Sequence, residues 1–145
     1  MNIVRLDKTA TDGICNIEQQ CFSTPWSSES VLSTISNPNN VFIGAYLDDT
    51  LVGYGSFNTV MDEGYINNIA VLPKYRRQGI AGKILDDMIA TAKSLNLSFL
   101  TLEVRKSNLT AISLYEGRGF KSVGIRKNFY TAPLEDGVIM TLYGE

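Results

Sequence analysis

The chain has 145 residues, of which 44% are apolar, 10% aromatic and 19% charged. That length suits one domain (residues 1–145), which buries about two-thirds of its unfolded surface and needs no disulfide or metal staple. Thirteen Lys and Arg against fifteen Asp and Glu give a net charge of −2, and histidine is absent, which argues against a nucleic-acid coat and excludes imidazole nucleophile systems and histidine-ligated metals.

The first elements follow from short patterns. Asn2 to Asp7 carries Ile3, Val4 and Leu6 and predicts a strand. Thr9 to Cys21 places Ile14, Ile17 and Cys21 at helical spacing, with Thr11 or Asp12 as candidate caps. Pro25-Trp26-Ser27 opens a second helix with Ser27 as N-cap, and Trp26 and Val31 stand at the spacing of a hydrophobic staple. Asn37-Pro38-Asn39-Asn40 stops it. Cys15 and Cys21 are not spaced as a C-x-x-C pair and read as small buried thiols in a reduced compartment. The amino-terminal residues lack a long apolar core, and no apolar run approaches the ~20 residues that span a bilayer. A soluble, cytoplasmic protein is expected, with no metal and no membrane or direct nucleic-acid partner.

A meander follows: Val41 to Leu47, Leu51 to Val60 and Tyr65 to Leu72, joined by turns at Asp48-Asp49-Thr50 and Met61-Asp62-Glu63-Gly64. The period then changes. Gly79 to Leu95 spaces Ile80, Ile84, Leu85, Met88, Ile89 and Ala92 as an amphipathic helix. Ser98 to Val104 is a short strand, Asn108 to Arg118 a helix ended by Gly119, and Phe120 to Phe129 and Val138 to Tyr143 two last strands around the turn-prone Thr131 to Gly137. This order predicts an α/β (α+β) fold, a mixed and mostly antiparallel sheet of about seven strands with four helices on its faces.

The most informative stretch runs from Tyr65 to Leu85. After the strand, Pro73 turns the chain and Arg76-Arg77-Gln78-Gly79-Ile80-Ala81-Gly82 opens a helix. Small residues there let backbone N–H groups approach a ligand, and the helix N-terminus adds positive potential, a combination suited to a pyrophosphate. It is not a Walker A loop, since Arg77 and Ile84 stand where Gly and Ser/Thr are needed, nor a Rossmann fingerprint, since Gly79-Ile80-Ala81 lacks G-x-G. The bland alternative is a glycine-softened helix start.

Arg76 to Ala81 resembles the acetyl-coenzyme A signature Gln/Arg-x-x-Gly-x-Gly/Ala of the GNAT family of N-acetyltransferases, and the element order agrees along essentially the whole chain. The resemblance implies that Ile69, Ala70 and Val71 pair their backbone with the pantetheine arm. It further implies that amides of Arg77, Gln78, Gly79, Ile80, Ala81 and Gly82 hold the pyrophosphate. Leu102 to Phe120, Ile17 to Ser27 and Arg126-Lys127-Asn128-Phe129-Tyr130 look like the branch of that family that modifies bacterial ribosomal proteins. Phe129 stands where relatives often carry Tyr. The implied acceptor is a protein N-terminus, the N-terminal alanine of a small-subunit ribosomal protein; lysine side chains and small amines are the alternatives, and a non-catalytic acyl-CoA-binding module is the reading from another class.

Acetyl transfer to an amine needs a base, donors for the oxyanion and stabilisation of the leaving thiolate, but no imidazole. Glu103, a carboxylate in an otherwise apolar strand, is the candidate base; the alternative is a strand-end charge paired with Arg105 or Lys106. At pH 7 roughly a tenth of an α-amine is neutral, against well under a thousandth of a lysine, so a carboxylate base suits the former. Tyr115 is the candidate acid, or else a core tyrosine with a satisfied hydroxyl. Asn108 reads as a helix cap, as a contact to the pantetheine amide, or both. A β-bulge at Asn67-Asn68 would free a backbone donor for the oxyanion. Asp62 and Glu63 could attract a cationic amine or simply form the turn, and Tyr130 is a candidate acceptor contact.

Overall fold

The computed structural model describes residues 1–144. Seven strands form one sheet in the order β1-β2-β3-β4-β5-β7-β6. They are β1 (Asn2–Arg5), β2 (Asn40–Leu47), β3 (Thr50–Val60), β4 (Glu63–Val71), β5 (Phe99–Arg105), β6 (Lys121–Tyr130) and β7 (Glu135–Tyr143). The helices are α1 (Thr11–Cys21), α2 (Ser28–Ser36), α3 (Ile80–Ser94) and α4 (Leu109–Glu116), with short 3-10 turns at Lys8–Ala10 and Pro73–Tyr75. Every pairing is antiparallel except β4 with β5. The expected fold class therefore holds, and among the described residues no helix is long and apolar enough to cross a membrane.

Helices cover both faces of β3, which is why Leu51 to Phe57 are buried without a break. Successive side chains of a strand point to opposite faces. Tyr54 points to α1, bonding Glu18, while Gly53 and Gly55 face α3. A Cβ at Gly55 would come within 2.6 Å of the Met88 sulfur, so the glycine gives α3 a flat seat. Ile84, Leu85 and Met88 are fully buried there. Each such side chain contributes roughly 1.5–3 kcal/mol, which makes this contact the anchor of α3 and of the loop leading into it.

Several local expectations change. Neither Thr11 nor Asp12 caps α1; Asp7 instead caps the 3-10 turn before it by accepting from the Thr9 N–H at 2.9 Å. That cap ends β1 at Arg5, two residues early. Ser27 caps α2 as expected, accepting from the Ser30 N–H at 3.1 Å. The turn before β4 is shorter than expected, because Met61 adopts φ +55 and Glu63 already belongs to the strand. The β6–β7 loop shrinks to residues 131–134. Cys15 and Cys21 are half-buried free thiols, and burial pushes the Cys15 thiol up.

Candidate active site

Two features of β4 build the site. Against β3, Ser56 pairs with Asn68 and Phe57 with Ile66, so Asn67 is an extra, unpaired residue: the strand bulges where the asparagines interrupt it. Against β5, only Glu63 to Tyr65 pair, with Phe99 to Thr101. Past that point the two parallel strands part, while β5 stays paired with β7 along its whole length. The fork leaves the backbone of Ile69 to Val71 without a strand partner on its β5 side.

Two cavities occupy this opening. The first, about 710 Å³, runs from Ile69, Ala70 and Val71 past Arg77, Gly79, Ile80, Ala81 and Gly82 to α4. The second, about 470 Å³, lies over the bulge between Glu103 and the α1–α2 loop. They share Phe22, Ile69, Asn108, Ala111 and Tyr115. Of the expected coenzyme residues only Gln78 lies outside the first cavity, on the exposed side of its loop.

The loop before α3 owes its shape to backbone conformation. Arg77 and Gly79 have φ +66 and +77, two left-handed residues in three. Such a curl gathers successive N–H groups into an anion-binding concavity. Gly79 is the N-cap and offers no side-chain acceptor, so the first amides of α3 face the cavity uncapped. A Cβ on Gly79 would meet nothing within 4 Å, so the glycine is required by its φ and not by crowding. At Gly82 the absence of a side chain makes room for Arg118: a Cβ there would lie 2.1 Å from its Nη2 and would push the guanidinium aside. Arg118 reaches across from the end of α4, pairs with Asp86 at 3.1 Å and lines the same cavity. Arg76 is a brace: its Nε donates to the Val71 carbonyl at 3.0 Å. Uncapped amides, guanidinium groups and a long cleft fit a pyrophosphate on a pantetheine arm.

Glu103 projects from the face of β5 opposite Leu102 and Val104, into the second cavity. Its partner is Arg126 of β6, at 3.1 Å, and not Arg105 or Lys106. That pair is partly solvated, with the Arg126 side chain 57% exposed, and so worth only about 0–1 kcal/mol, which leaves the carboxylate free to exchange partners. Arg105 is committed elsewhere. It donates to the carbonyls of Pro133 and Thr131 at 2.9 and 3.1 Å, pairs with Glu135 at 3.2 Å and stacks 4.5 Å over the Tyr130 ring. This grip sets Tyr130 in the wall of the second cavity.

Tyr115 is 6% exposed, packed edge-on to Phe120 with ring centroids 5.3 Å apart. Its hydroxyl has no partner among the described residues, yet it is not sealed off, because it opens on the junction of the two cavities. Burial, with a smaller effect of Tyr130, pushes its pKa up to about 12. Asn108 caps α4 as expected, accepting from the Ala111 N–H at 3.1 Å, and also lines both cavities. Of the two readings of Asp62 and Glu63, the geometry fits the structural one: they lie at the closed end of the fork, outside both cavities, where Asp62 accepts from Ser98 and Glu63 accepts from the Tyr65 hydroxyl.

Sequence reasoning missed Arg118 and Glu18. Glu18 is 1% exposed and accepts from the Trp26 N–H at 2.9 Å, the Tyr54 hydroxyl at 2.5 Å and the Asn68 Nδ2 at 3.2 Å. A signal was present: Ile14, Ile17, Glu18 and Cys21 share one helical stripe, and a carboxylate inside an apolar stripe needs donors.

The acetyltransferase (GNAT) family matches residues 11–120. The chain is 35% identical over 144 residues to the ribosomal protein bS18-alanine N-acetyltransferase of Escherichia coli K12, covering 97% of this chain and 95% of that one. It is 35% identical over 130 residues to the enzyme of the same name from Haemophilus ducreyi, covering 88% and 89%. The crystal structure of the Escherichia coli ribosomal-protein-S18-alanine N-acetyltransferase superposes with a TM-score of 0.91 at 33% identity, over 98% of this chain and 92% of that one. With the forked sheet and the uncapped loop, these likenesses make the chain an acetyltransferase that belongs to the GNAT family.

Proposed function

We propose that this chain is a cytoplasmic enzyme that moves acetyl from acetyl-CoA to the N-terminal alanine of ribosomal protein bS18. Relatives that bear this activity in their names align with it nearly end to end. The observation that carries the reading is the position of Tyr115 at the junction of the two cavities, with Glu103 in the second alone. One cavity thus has the shape and donors for a coenzyme, the other a carboxylate for an incoming amine.

Acetyl-CoA supplies an activated acetyl group as a thioester. Amides of Arg77 to Gly82 and the Arg118 guanidinium hold its phosphates, and the open backbone of Ile69 to Val71 and Asn108 hold the pantetheine. Glu103 takes the proton that the α-amine sheds as the new C–N bond forms. The unpaired backbone at Asn67 donates to the carbonyl oxygen where negative charge develops. Tyr115 donates its hydroxyl to the sulfur as the C–S bond breaks. With a pKa near 12 it stays protonated, and so remains a donor, throughout the working range.

Initial rates with acetyl-CoA and three acceptors test this: the N-terminal peptide of bS18, the same peptide with a blocked N-terminus, and a polyamine. The expected result is turnover of the first alone. Turnover of the polyamine alone overturns the assignment of the acceptor.

A further inference from the structure

Glu18 is a buried carboxylate with no cationic partner among the described residues. Its two oxygens join the α1–α2 loop, β3 and β4 beside the second cavity. Oε1 receives the backbone N–H of Trp26, in the α1–α2 loop. Oε2 receives the Tyr54 hydroxyl from β3 and the Asn68 side chain, the residue next to the bulge. Glu18, Trp26 and Asn68 all line that cavity.

Apolar packing does not require this arrangement. Replacing a buried charge by an apolar side chain of similar volume is often neutral or stabilising, so the carboxylate is poorly explained as a support of the core. An apolar residue cannot accept the Trp26 N–H. Without that bond the loop must turn to solvent to satisfy its amide.

We propose that Glu18 is a positioning residue of the acceptor pocket. Its carboxylate fixes the α1–α2 loop against the bulged strand, and so sets the width of the slot that receives the first residue of the acceptor peptide. This rests on the acceptor reading above. Glu18 acts on the acceptor through Trp26 and Asn68.

Trp26 is the only tryptophan of the chain, so its fluorescence reports this loop directly. The test compares Glu18→Leu and Glu18→Gln with the parent in acceptor KM, kcat, acetyl-CoA Kd and acrylamide quenching of Trp26. Glu18→Leu removes the acceptor for all three donors, and its peptide KM should rise about tenfold or more. Its kcat at saturating peptide and its acetyl-CoA Kd should stay close to the parent values, and Trp26 should become more quenchable. Glu18→Gln keeps an acceptor for part of the set and should fall between the two. A folded Glu18→Leu with parental KM, or with raised KM and unchanged quenching, overturns the proposal. If Glu18→Leu does not fold, Glu18→Gln and Asn68→Leu decide, and parental KM in both overturns it. A parent that acetylates no α-amine refutes the acceptor reading on its own; the quenching arm still decides whether Glu18 anchors the loop.

Discussion

Replacing Gly79 tests whether the phosphate loop depends on backbone conformation or on space. The residue sits at φ +77 with nothing within 4 Å of a Cβ. Holding an L-residue in that region costs roughly 1–2 kcal/mol, more for a β-branched side chain and little for Asn, which tolerates it. The chain can meet that cost in two ways. If the loop keeps its shape, the melting temperature falls by roughly 3–8 °C and the acetyl-CoA Kd is unchanged. If the loop relaxes, its amides turn from the cavity and Kd rises about 5–30-fold at constant melting temperature. Calorimetric titration and thermal unfolding of Gly79→Asn, Gly79→Ala and Gly79→Val measure both quantities. The summed loss should rise in that order, with Asn close to the parent. Parental affinity and stability in the Val variant, or an Asn variant as impaired as Val, would refute the conformational argument; the second pattern would mean that side-chain volume decides.

Tyr115→Phe removes a hydroxyl that has no partner among the described residues, so stability should hold while turnover drops roughly a hundred- to ten-thousand-fold, unrescued by raising pH. In the parent no alkaline loss of activity should trace to Tyr115 below about pH 11, because its pKa lies near 12. Glu103→Gln should lose turnover on the same scale but recover part of it at high pH, where the α-amine is already neutral, as a pH–rate profile at saturating peptide will show. Arg118→Ala should weaken acetyl-CoA binding in a salt-dependent way and leave the peptide KM unchanged, whereas Arg76→Ala, which removes a brace on Val71, should act mainly on thermal stability.

What could be read from the sequence was local. Periodicity located α3 because its buried residues are its apolar ones, and the loop before it was recognisable because left-handed positions favour glycine. The asparagine pair at residues 67–68 marked the bulge for a similar reason: it breaks the alternation of β4. Relations between distant segments were not legible. Glu18 looks like any helical acid until Tyr54 and Asn68, 36 and 50 residues away, arrive beside it. Arg118 acquires a role only because the end of α4 comes to rest over Gly82. Glu103 and Arg126 meet across β7, which lies between β5 and β6 in an order that does not follow the chain. The two readings of Asp62 and Glu63 stayed open because charge at a turn is visible in sequence, but the side of the fork on which the turn lies is not.

The account stands most directly on where the acetyl group goes. A peptide with a free N-terminal alanine and one internal lysine, incubated with acetyl-CoA and the parent chain and fragmented by tandem mass spectrometry, locates it. Acetyl on the α-amine, absent when Glu103 is replaced by Gln at neutral pH, is the predicted result. Acetyl on the lysine alone would contradict it.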